Sequence, residues 1–443
     1  MKRTTRTLAV ALAFVAPGTG GAQTLTLSEA AARGLDVHPA LARAVAAADA
    51  AGAGVRQAAA TRYPQLALQG SGTRYQEPML VAPLHRFDPS RVPDFDETLL
   101  QSALSAEWTL FDGGRRGAEG AAAQARSAAS AEVVRETEAA VLQRVADAYL
   151  AALTAREWVA ALQRHRRALE AERDRATRLV EEGAAPELER LRAESELAEA
   201  HAEGESGRHS LELALTTLAE LLDLPREDFE PDALVSPDLP SDPTPPDEVD
   251  TLRIAAAPSV QVARSGVAEA EAALDRARAA WLPTFSAVGG YTILGGASVS
   301  PIAEWRGGLQ LSYPLFTGGA RRSAVDGSRA SLREANARVA EASEEVTLAA
   351  ARARTAEAEA RARLAALTAA VDRFVELARV ERLALDEGAG MQSDWLRAEA
   401  GLLRARAGLA EARHRVLSAR IAWARATGRL TLEWIDQLLE VGE

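Results

Sequence analysis

The sequence contains no cysteine, a single lysine and few aromatic residues, and these absences exclude several classes of protein. Without Cys there is no disulfide framework, no thiolate metal site, no Cys nucleophile and no lipid-modified Cys anchor. The 443 residues carry 51 Lys and Arg against 63 Asp and Glu, which gives a net charge of −12. Because binding to phosphates needs concentrated positive charge, we expect no nucleic acid among the partners.

Long apolar segments are also rare, and the one at the N-terminus has the pattern of an export signal. Three basic residues precede an apolar run at 8–16, and small residues precede a cleavage point before Gln23. Residues 1–22 are therefore predicted to be a signal peptide. No later segment reaches the roughly 20 apolar residues of a transmembrane helix. If the exported protein lies in a membrane, strands must hold it there.

The chain contains an internal duplication. The motif Leu-Phe-x-Gly-Gly at 110–114 recurs at 315–319, an offset of 205 residues (315 − 110), and His209 aligns with His414 at the same offset. Upstream, Pro39 aligns with Pro258 at an offset of 219 (258 − 39). The first copy therefore has an insertion, which we place in a Pro-rich loop. The predicted organisation is a first repeat, a Pro-rich acidic linker outside the core, a second repeat and a C-terminal tail, at 23–223, 224–246, 247–430 and 431–443.

Each repeat is predicted to run helix, strand, loop, strand, long helix, turn, helix. Apolar residues recur at helical spacing over 27–62 and 247–280. Alternation with a period of two then predicts strands, with the insertion of the first copy as a loop at 76–97. Aromatic residues lie near the strand ends, which is typical of membrane barrels, although a small soluble sheet also fits the alternation. The predicted strands are at about 63–76, 98–111, 281–293 and 304–316.

After each Gly-Gly motif the chain has a helical pattern for about 70 residues, or roughly 105 Å, as far as Gly183 and Gly388. A helix of about 40 residues follows each of these glycines. The economical arrangement stacks the two shorter helices of a repeat end to end beside the long one. The predicted fold is mainly α with a small β part, built from long antiparallel, coiled-coil-like helices.

Four strands cannot close a barrel within one chain. An open sheet leaves two edges, and lipid does not tolerate unpaired edges. The sheet is therefore soluble, or several chains pool their strands. Three chains would give a twelve-stranded transmembrane β-barrel, and their helices would form a second tube, an α-barrel.

Taken in order, these features resemble TolC-type outer membrane efflux proteins. The resemblance rests on the export signal, the duplication, the strand starts Tyr63-Pro64 and Leu282-Pro283, both Leu-Phe-x-Gly-Gly motifs and the Gly-x5-acid-x-Leu-x-Ala tips, and it covers nearly all of 24–430. It implies a homotrimeric conduit with a 12-stranded barrel in the lipid of the bacterial outer membrane. Its helical barrel would cross the periplasm to an adaptor protein and an inner-membrane pump of the RND, ABC or MFS type.

The resemblance also implies roles for residues at the helix tips. Asp394 matches the first acidic position of the periplasmic gate, Arg397 stands where some members have a second acid, and Glu189 is the equivalent of Asp394 in the first repeat. A solvated acid favoured by a helix N-terminus remains the alternative for Asp394. The residues expected to contact the adaptor are those of the turns, Gly183, Ala184, Gly388 and Ala389.

The remaining motifs indicate no chemistry. The Gly-Gly pairs lack the pattern of phosphate loops and are predicted to be strand-to-helix corners, at Gly113, Gly114, Gly318 and Gly319. No nucleophile lies near a base in the sequence, no two His have helical metal-site spacing, and we expect neither an enzyme nor a cofactor. Two functions remain, the exit duct of a tripartite efflux or type I secretion system and a periplasmic coiled-coil tethering protein without a membrane barrel.

Overall fold

The structure, a computed structural model, describes residues 24–81, 89–90, 92–239 and 251–440. The predicted signal peptide lies outside these residues. Nine α-helices and four strands occur in the described ranges. In chain order they are α1 (Leu27–Val37), α2 (Pro39–Ala60), β1 (Gln65–Leu80), β2 (Phe95–Phe111), α3 (Arg115–Glu181), α4 (Glu187–Leu221), α5 (Thr251–Ala256), α6 (Pro258–Ala279), β3 (Thr284–Gly295), β4 (Ile302–Ser312), α7 (Ala320–Asp386), α8 (Gln392–Ala426) and α9 (Leu432–Glu440).

The duplication is visible in the helix bounds. The long helices α3 and α7 each have 67 residues, and α4 and α8 each have 35. The second member of each pair begins 205 residues after the first (320 − 115 and 392 − 187). Both α2 and α4 pack along α3, and both α6 and α8 pack along α7. The predicted arrangement, two shorter helices beside one long helix, is confirmed.

The two repeats join through α3. This helix also packs against α6 and α8 of the second repeat. The layer therefore has the order α4, α3, α8, α7 in the half beside the turns at Gly183 and Gly388, and α2, α3, α6, α7 in the half beside the sheet. Among the described residues, the extensive contacts of α4 and of α2 are with α3, and those of α7 are with α6 and α8. The outer sides of α2, α4 and α7 therefore remain open in one chain.

The helices predicted over 27–62 and 247–280 are each interrupted by a proline. α2 begins at Pro39 and α6 begins at Pro258. Proline has no N–H and its ring clashes with the preceding turn, so it is accommodated at the first position of a helix but not in its interior. The prediction of one continuous helix in each repeat was wrong for this reason. None of the helices in the described part of the chain combines the length and the apolar composition of a membrane-spanning helix.

The four strands form one antiparallel sheet in sequence order. Cross-strand partners share a face of a sheet, and one row across it is Leu68, Leu104, Tyr291 and Trp305. The neighbouring row, which faces the opposite side, is Gln69, Ala103, Thr292 and Glu304. One face is therefore apolar and aromatic, and the other is largely polar.

The strand bounds differ from the predicted ones by up to four residues. β1 continues to Leu80 and β2 already begins at Phe95, so both strands extend into the loop predicted at 76–97. Part of that loop, 82–88 and 91, lies outside the described residues. β4 ends at Ser312 instead of 316. Pro314 explains the early end, because it cannot donate a hydrogen bond to a neighbouring strand.

Pairs of glycines lie between β2 and α3 and between β4 and α7, at the predicted corners. All four have positive φ, at 67° and 94° for Gly113 and Gly114 and at 59° and 85° for Gly318 and Gly319. Residues with a Cβ rarely adopt this conformation. At Gly113 a Cβ would also lie 2.7 Å from Leu282 Cβ. The strands can therefore turn sharply into the long helices.

The segment predicted as a Pro-rich linker is partly core. Phe229 and Leu234 are buried in the main hydrophobic cluster, and Leu234 pairs with Leu25 in an isolated parallel bridge. Tyr149 Oη lies 2.7 Å from the carbonyl oxygens of Leu25 and Val235. The prediction was wrong for this stretch because a few apolar residues decide its burial, while Pro and acids dominate its composition. Residues 240–250 lie outside the described residues.

The predicted C-terminal tail contains a packed helix. Ile435 of α9 is fully buried in the main cluster together with Leu430 and Leu438. α9 contacts α1, where Ser28 Oγ donates to the carboxylate of Asp436. The core therefore lies where the chain ends meet α3, α4 and α8, far from the sheet and from the helix tips.

Candidate functional site

The two helical hairpins end in the same turn. Gly183 and Gly388 have φ of 71° and 73°. The next residue in each turn donates its N–H back to the helix, Ala184 to Leu179 O at 2.7 Å and Ala389 to Ala384 O at 2.9 Å. This is a Schellman motif, which ends a helix and satisfies its last carbonyl groups. All four predicted turn residues, Gly183, Ala184, Gly388 and Ala389, are exposed at the tips.

Each turn is followed by a helix with an acid in its first turn. Glu189 belongs to the first turn of α4, and Asp394 belongs to the first turn of α8. The partial positive charge of a helix N-terminus favours a carboxylate there. Both side chains are half-buried. The structure thus places the two predicted acids at equivalent positions, directly beside the tips.

Asp394 and Arg397 form an ion pair, with Oδ1 and Nη1 3.0 Å apart. The Arg397 side chain is 73% exposed and the Asp394 side chain 31%, so solvent screens the pair. Both residues lie on α8, three positions apart. An ion pair within one helix cannot tie that helix to another element. The positive charge of Arg397 partly offsets the electric field of the Asp394 carboxylate.

A buried carboxylate near the tips does connect different helices. Glu172 of α3 is fully buried and accepts hydrogen bonds from both Nε and Nη2 of Arg175, each at 3.0 Å. It also accepts from Nη1 of Arg382 on α7 at 2.8 Å and from Nε2 of Gln392, the first residue of α8, at 2.8 Å. Glu172 therefore joins the first repeat to both helices of the second.

An apolar cluster surrounds this connection. Trp395 of α8 is buried with Leu169 of α3, Leu197 of α4 and Leu385 of α7, so that all four helices of the tips contribute to the cluster. The guanidinium carbon of Arg382 lies 5.2 Å from the centre of the Trp395 ring, a cation–π contact. Because the cluster excludes water, the electrostatic interactions of Glu172 are stronger than those of an exposed pair.

Sequence analysis did not identify Glu172. It lies on an apolar stripe of α3, three residues after Leu169 and four before Ala176, all three of them buried. Its equivalent in the second repeat is Leu377. An acid on an apolar stripe, at a position where the other repeat has leucine, was the available signal.

The charges near the tips influence one another. Burial alone would lower the pKa of Arg175, but its hydrogen bond to Glu172 and the nearby carboxylates of Glu172, Glu189 and Asp386 raise that pKa overall. Burial raises the pKa of Glu399 one turn beyond Trp395, against the opposing effect of nearby Arg side chains. Glu189 therefore faces a cation of α3, whereas Asp394 faces Arg397 on its own helix.

A groove of about 600 Å³ separates α4 from α8 beside the tips. Its apolar lining includes Leu188 and Leu191, which are both about half exposed, and Leu396. Charged residues such as Arg192 and Arg397 line it as well. A groove between two helices, with exposed leucines and a charged rim, suits an amphipathic helix of another protein.

The sequence profile of the outer membrane efflux proteins matches residues 31–223 and 252–429, most of the chain. The chain belongs to this family. The family is one of channels, so the protein is an outer membrane efflux channel whose helical part lies in the periplasm. The alternative of a periplasmic tethering protein without a membrane part is not supported.

Solved structures share the fold at low sequence identity. A membrane protein from Pseudomonas aeruginosa has a TM-score of 0.80 and 22% identity, over 90% of this chain and 93% of that chain. The outer membrane protein VceC from Vibrio cholerae has a TM-score of 0.75 and 19% identity, over 91% and 96%. The CmeC outer membrane channel from Campylobacter jejuni has a TM-score of 0.77 and 15% identity, over 94% and 89%. No curated protein matches the sequence.

Proposed function

We propose that three copies of this chain form a passive exit duct, the outer membrane component of a tripartite efflux pump or a type I secretion system. One observation carries this proposal. A single chain supplies a four-stranded sheet whose outer strands, β1 and β4, each have an unpaired edge. Such edges are not tolerated in lipid, and three chains remove them by closing a ring of 12 strands (3 × 4).

The two faces of the sheet support the same assembly. The apolar face carries Leu68, Leu104 and Trp305, which suits contact with lipid, and Trp305 is among its most exposed residues. The opposite face carries Gln69, Thr292 and Glu304 and suits a water-filled duct. This is the alternation of outer membrane barrels, apolar outside and polar inside.

At the other end, the helix tips would meet a periplasmic adaptor. The turns at Gly183 and Gly388 protrude at the ends of helices roughly 100 Å long (67 residues each). The groove between α4 and α8 opens beside them and offers exposed leucines to an adaptor helix. The adaptor would connect the duct to an inner-membrane pump of the RND, ABC or MFS type, in which substrate selection resides.

Asp394 is the proposed gate acid. Threefold symmetry would place three copies in one ring, and the field of such a ring attracts cations into a narrow entrance. Arg397 opposes this effect because it pairs with Asp394. Glu189 would contribute a second, weaker ring, since the positive charge of Arg175 lies near it and partly offsets its negative charge.

Single-channel recording in planar bilayers tests the gate. We expect Asp394→Ala to lower cation selectivity and to weaken block by divalent cations, and Arg397→Ala to raise selectivity because it exposes the Asp394 charge. Asp326→Ala is the matched control, since Asp326 also pairs with an arginine three positions on, Arg329 at 3.1 Å, but near the sheet end of α7. If Asp394→Ala changes neither property, Asp394 is an ordinary acid at a helix start.

Native mass measurement in detergent tests the assembly. We expect a trimer that is extracted from membranes by detergent alone. A folded monomer, or release of the protein by osmotic shock without detergent, would contradict the duct.

A further inference from the structure

Because of the duplication, the open sides of the chain correspond to the helix faces that form the contact between the two repeats, the inner seam. Inside one chain, α3 packs against α8. The equivalent of α3 is α7, and α4 is the equivalent of α8, both at an offset of 205 residues. Since the layer has the order α4, α3, α8, α7, the free side of α7 corresponds to the side of α3 that faces α8. The free side of α4 corresponds in the same way to the side of α8 that faces α3.

Three polar contacts define the register of the inner seam. Thr154 Oγ1 lies 2.7 Å from His414 Nδ1, and Ser418 Oγ donates to Asp147 Oδ1 at 2.7 Å. Near the far end of α8, Arg425 Nη1 donates to Gln143 Oε1 at 2.9 Å. The contacts follow one another along the two helices, so a single register satisfies all three.

Their equivalents lie on the open sides. Thr154 and His414 correspond to Glu359 of α7 and His209 of α4, and both of these are exposed, although His414 itself is buried. Asp147 and Ser418 correspond to Arg352 and Leu213, and Gln143 corresponds to Leu348. Leu213 is 68% exposed and Leu348 is 50% exposed in one chain. Two exposed leucines on the two open sides therefore stand where the inner seam has a polar contact.

We propose that α7 of one copy packs on α4 of the next in this register, with Glu359 of the first subunit beside His209 of the second. The proposal rests on the trimeric assembly proposed above and adds the register of its subunit interface. A carboxylate can accept a hydrogen bond from an imidazole, and both exposed leucines would be covered by the neighbouring subunit, Leu213 opposite Arg352 and Leu348 opposite Glu220. Arg352 would lie along the same stripe, its stem covering Leu213.

The ion pair of Arg425 in the inner seam has no attractive counterpart at the open sides. Arg425 Nη2 also donates to Glu136 at 3.2 Å, and the equivalents of this pair, Glu220 and Glu341, are both acids. Two carboxylates repel each other and cannot form a salt bridge, so this point of the proposed interface contributes no attraction. The complementary polar pair of the proposed interface is Glu359 with His209, nearer the tips.

Disulfide cross-linking tests the register directly, because the natural chain contains no cysteine. Full-length Glu359→Cys/His209→Cys is purified in detergent, oxidised, and analysed on a denaturing gel without reductant. We expect covalent dimers and trimers from the double variant and monomers from each single variant. The matched control is Ala366→Cys/His209→Cys, since Ala366 is exposed on α7 about two turns, or roughly 10 Å, further on. This pair should cross-link at least tenfold less.

The outcomes separate the register from the assembly. Cross-linking of the Glu359 pair and not of the Ala366 pair supports the proposal. A native trimer whose Glu359 pair fails to cross-link, or cross-links no better than the Ala366 pair, overturns the register while leaving the trimer intact. If the wild-type protein is not a trimer in native mass measurement, the proposed assembly itself fails.

Discussion

At the scale of single residues, Glu172 holds the two repeats together near the tips with a carboxylate that solvent does not reach. Its hydrogen bonds come from Arg175, Arg382 and Gln392, one on each of three helices. Removing one member of a buried charge cluster leaves the others without partners in a place where water cannot replace them. The stability of the tips therefore depends strongly on this one side chain.

We predict that Glu172→Ala destabilises the folded protein by on the order of 3 kcal/mol and raises channel conductance, because α7 and α8 lose their connection to α3. Thermal unfolding in detergent and bilayer recording measure the two effects. Glu376→Ala is the control, since Glu376 forms an exposed pair with Arg379 on α7 at 2.7 Å and should change neither property. Equal midpoints for the two variants would contradict the role of Glu172.

His414 makes stability depend on pH. It is buried between α3 and α8, and burial, with help from Arg413 and Arg156, lowers its pKa from 6.5 to about 4. Glu157 at 3.9 Å acts in the opposite direction but does not outweigh burial. The unfolded chain thus binds a proton at higher pH than the folded one. Stability is complete above pH 6.5 and falls as the pH decreases from 6.5 towards 4.

We predict that His414→Gln removes this part of the pH dependence. The wild type should lose on the order of 3 kcal/mol more than the variant between pH 7 and pH 4. Thermal midpoints of both proteins over that range measure the difference, which isolates His414 from His38 and His165, whose pKa values burial also lowers. Parallel curves for the two proteins would show that His414 is not responsible.

At the scale of elements, the sheet is defined by the contrast between its faces. Leu104 and Ser105 are neighbours in the middle of β2, yet Leu104 shares a face with Leu68 and Tyr291, while Ser105 shares the other with Ala67 and Gly290. A strand points successive side chains to opposite faces. The same charge placed on these two residues therefore meets lipid in one case and water in the other.

We predict that Leu104→Arg prevents membrane insertion and that Ser105→Arg does not. An arginine on the lipid face near the middle of the membrane costs about 2 to 4 kcal/mol per chain, whereas one facing the duct stays hydrated. The yield of detergent-extracted, heat-resistant oligomer measures insertion. Equal yields from the two variants would mean that the sheet does not have one face in lipid.

At the scale of the whole molecule, the hairpin between β1 and β2 carries the insertion that distinguishes the repeats. Pairing of these strands ends at Met79 with Asp96 and Leu80 with Phe95. Asp96 also accepts hydrogen bonds from the backbone N–H and the hydroxyl of Ser298, both at 2.7 Å, and so fixes the first hairpin to the second. We therefore expect residues 82–91 to contribute little to the stability of the sheet.

We predict that deletion of residues 82–91 leaves the trimer and its membrane insertion intact. A second deletion, of residues 92–99, removes the paired start of β2 together with Asp96 and should prevent assembly. Native mass measurement of the detergent-extracted proteins compares the two. Loss of insertion on removal of 82–91 alone would show that this segment belongs to the barrel wall.

Features that depend on near neighbours were predictable from the sequence. The period of the apolar residues revealed the long helices and the strands, and the tip turns followed from single glycines at the predicted places. The prolines would have improved the predicted bounds. Pro39 and Pro258 each begin a helix, and Pro314 follows the end of β4, whereas the periodicity of apolar residues does not reveal these ends. All these features involve residues within a few positions of one another, where backbone geometry decides the outcome.

The sequence by itself thus determined the duplication, the approximate length of the two longest helices, the four strands and the positions of the acids after each tip. Only the tertiary structure decided that Phe229, Leu234 and Ile435 belong to the core, and that Glu172 meets Arg382, 210 residues away. The reason is physical. Local conformation depends on the neighbours of a residue in the chain, whereas burial of a side chain depends on what a distant segment brings against it.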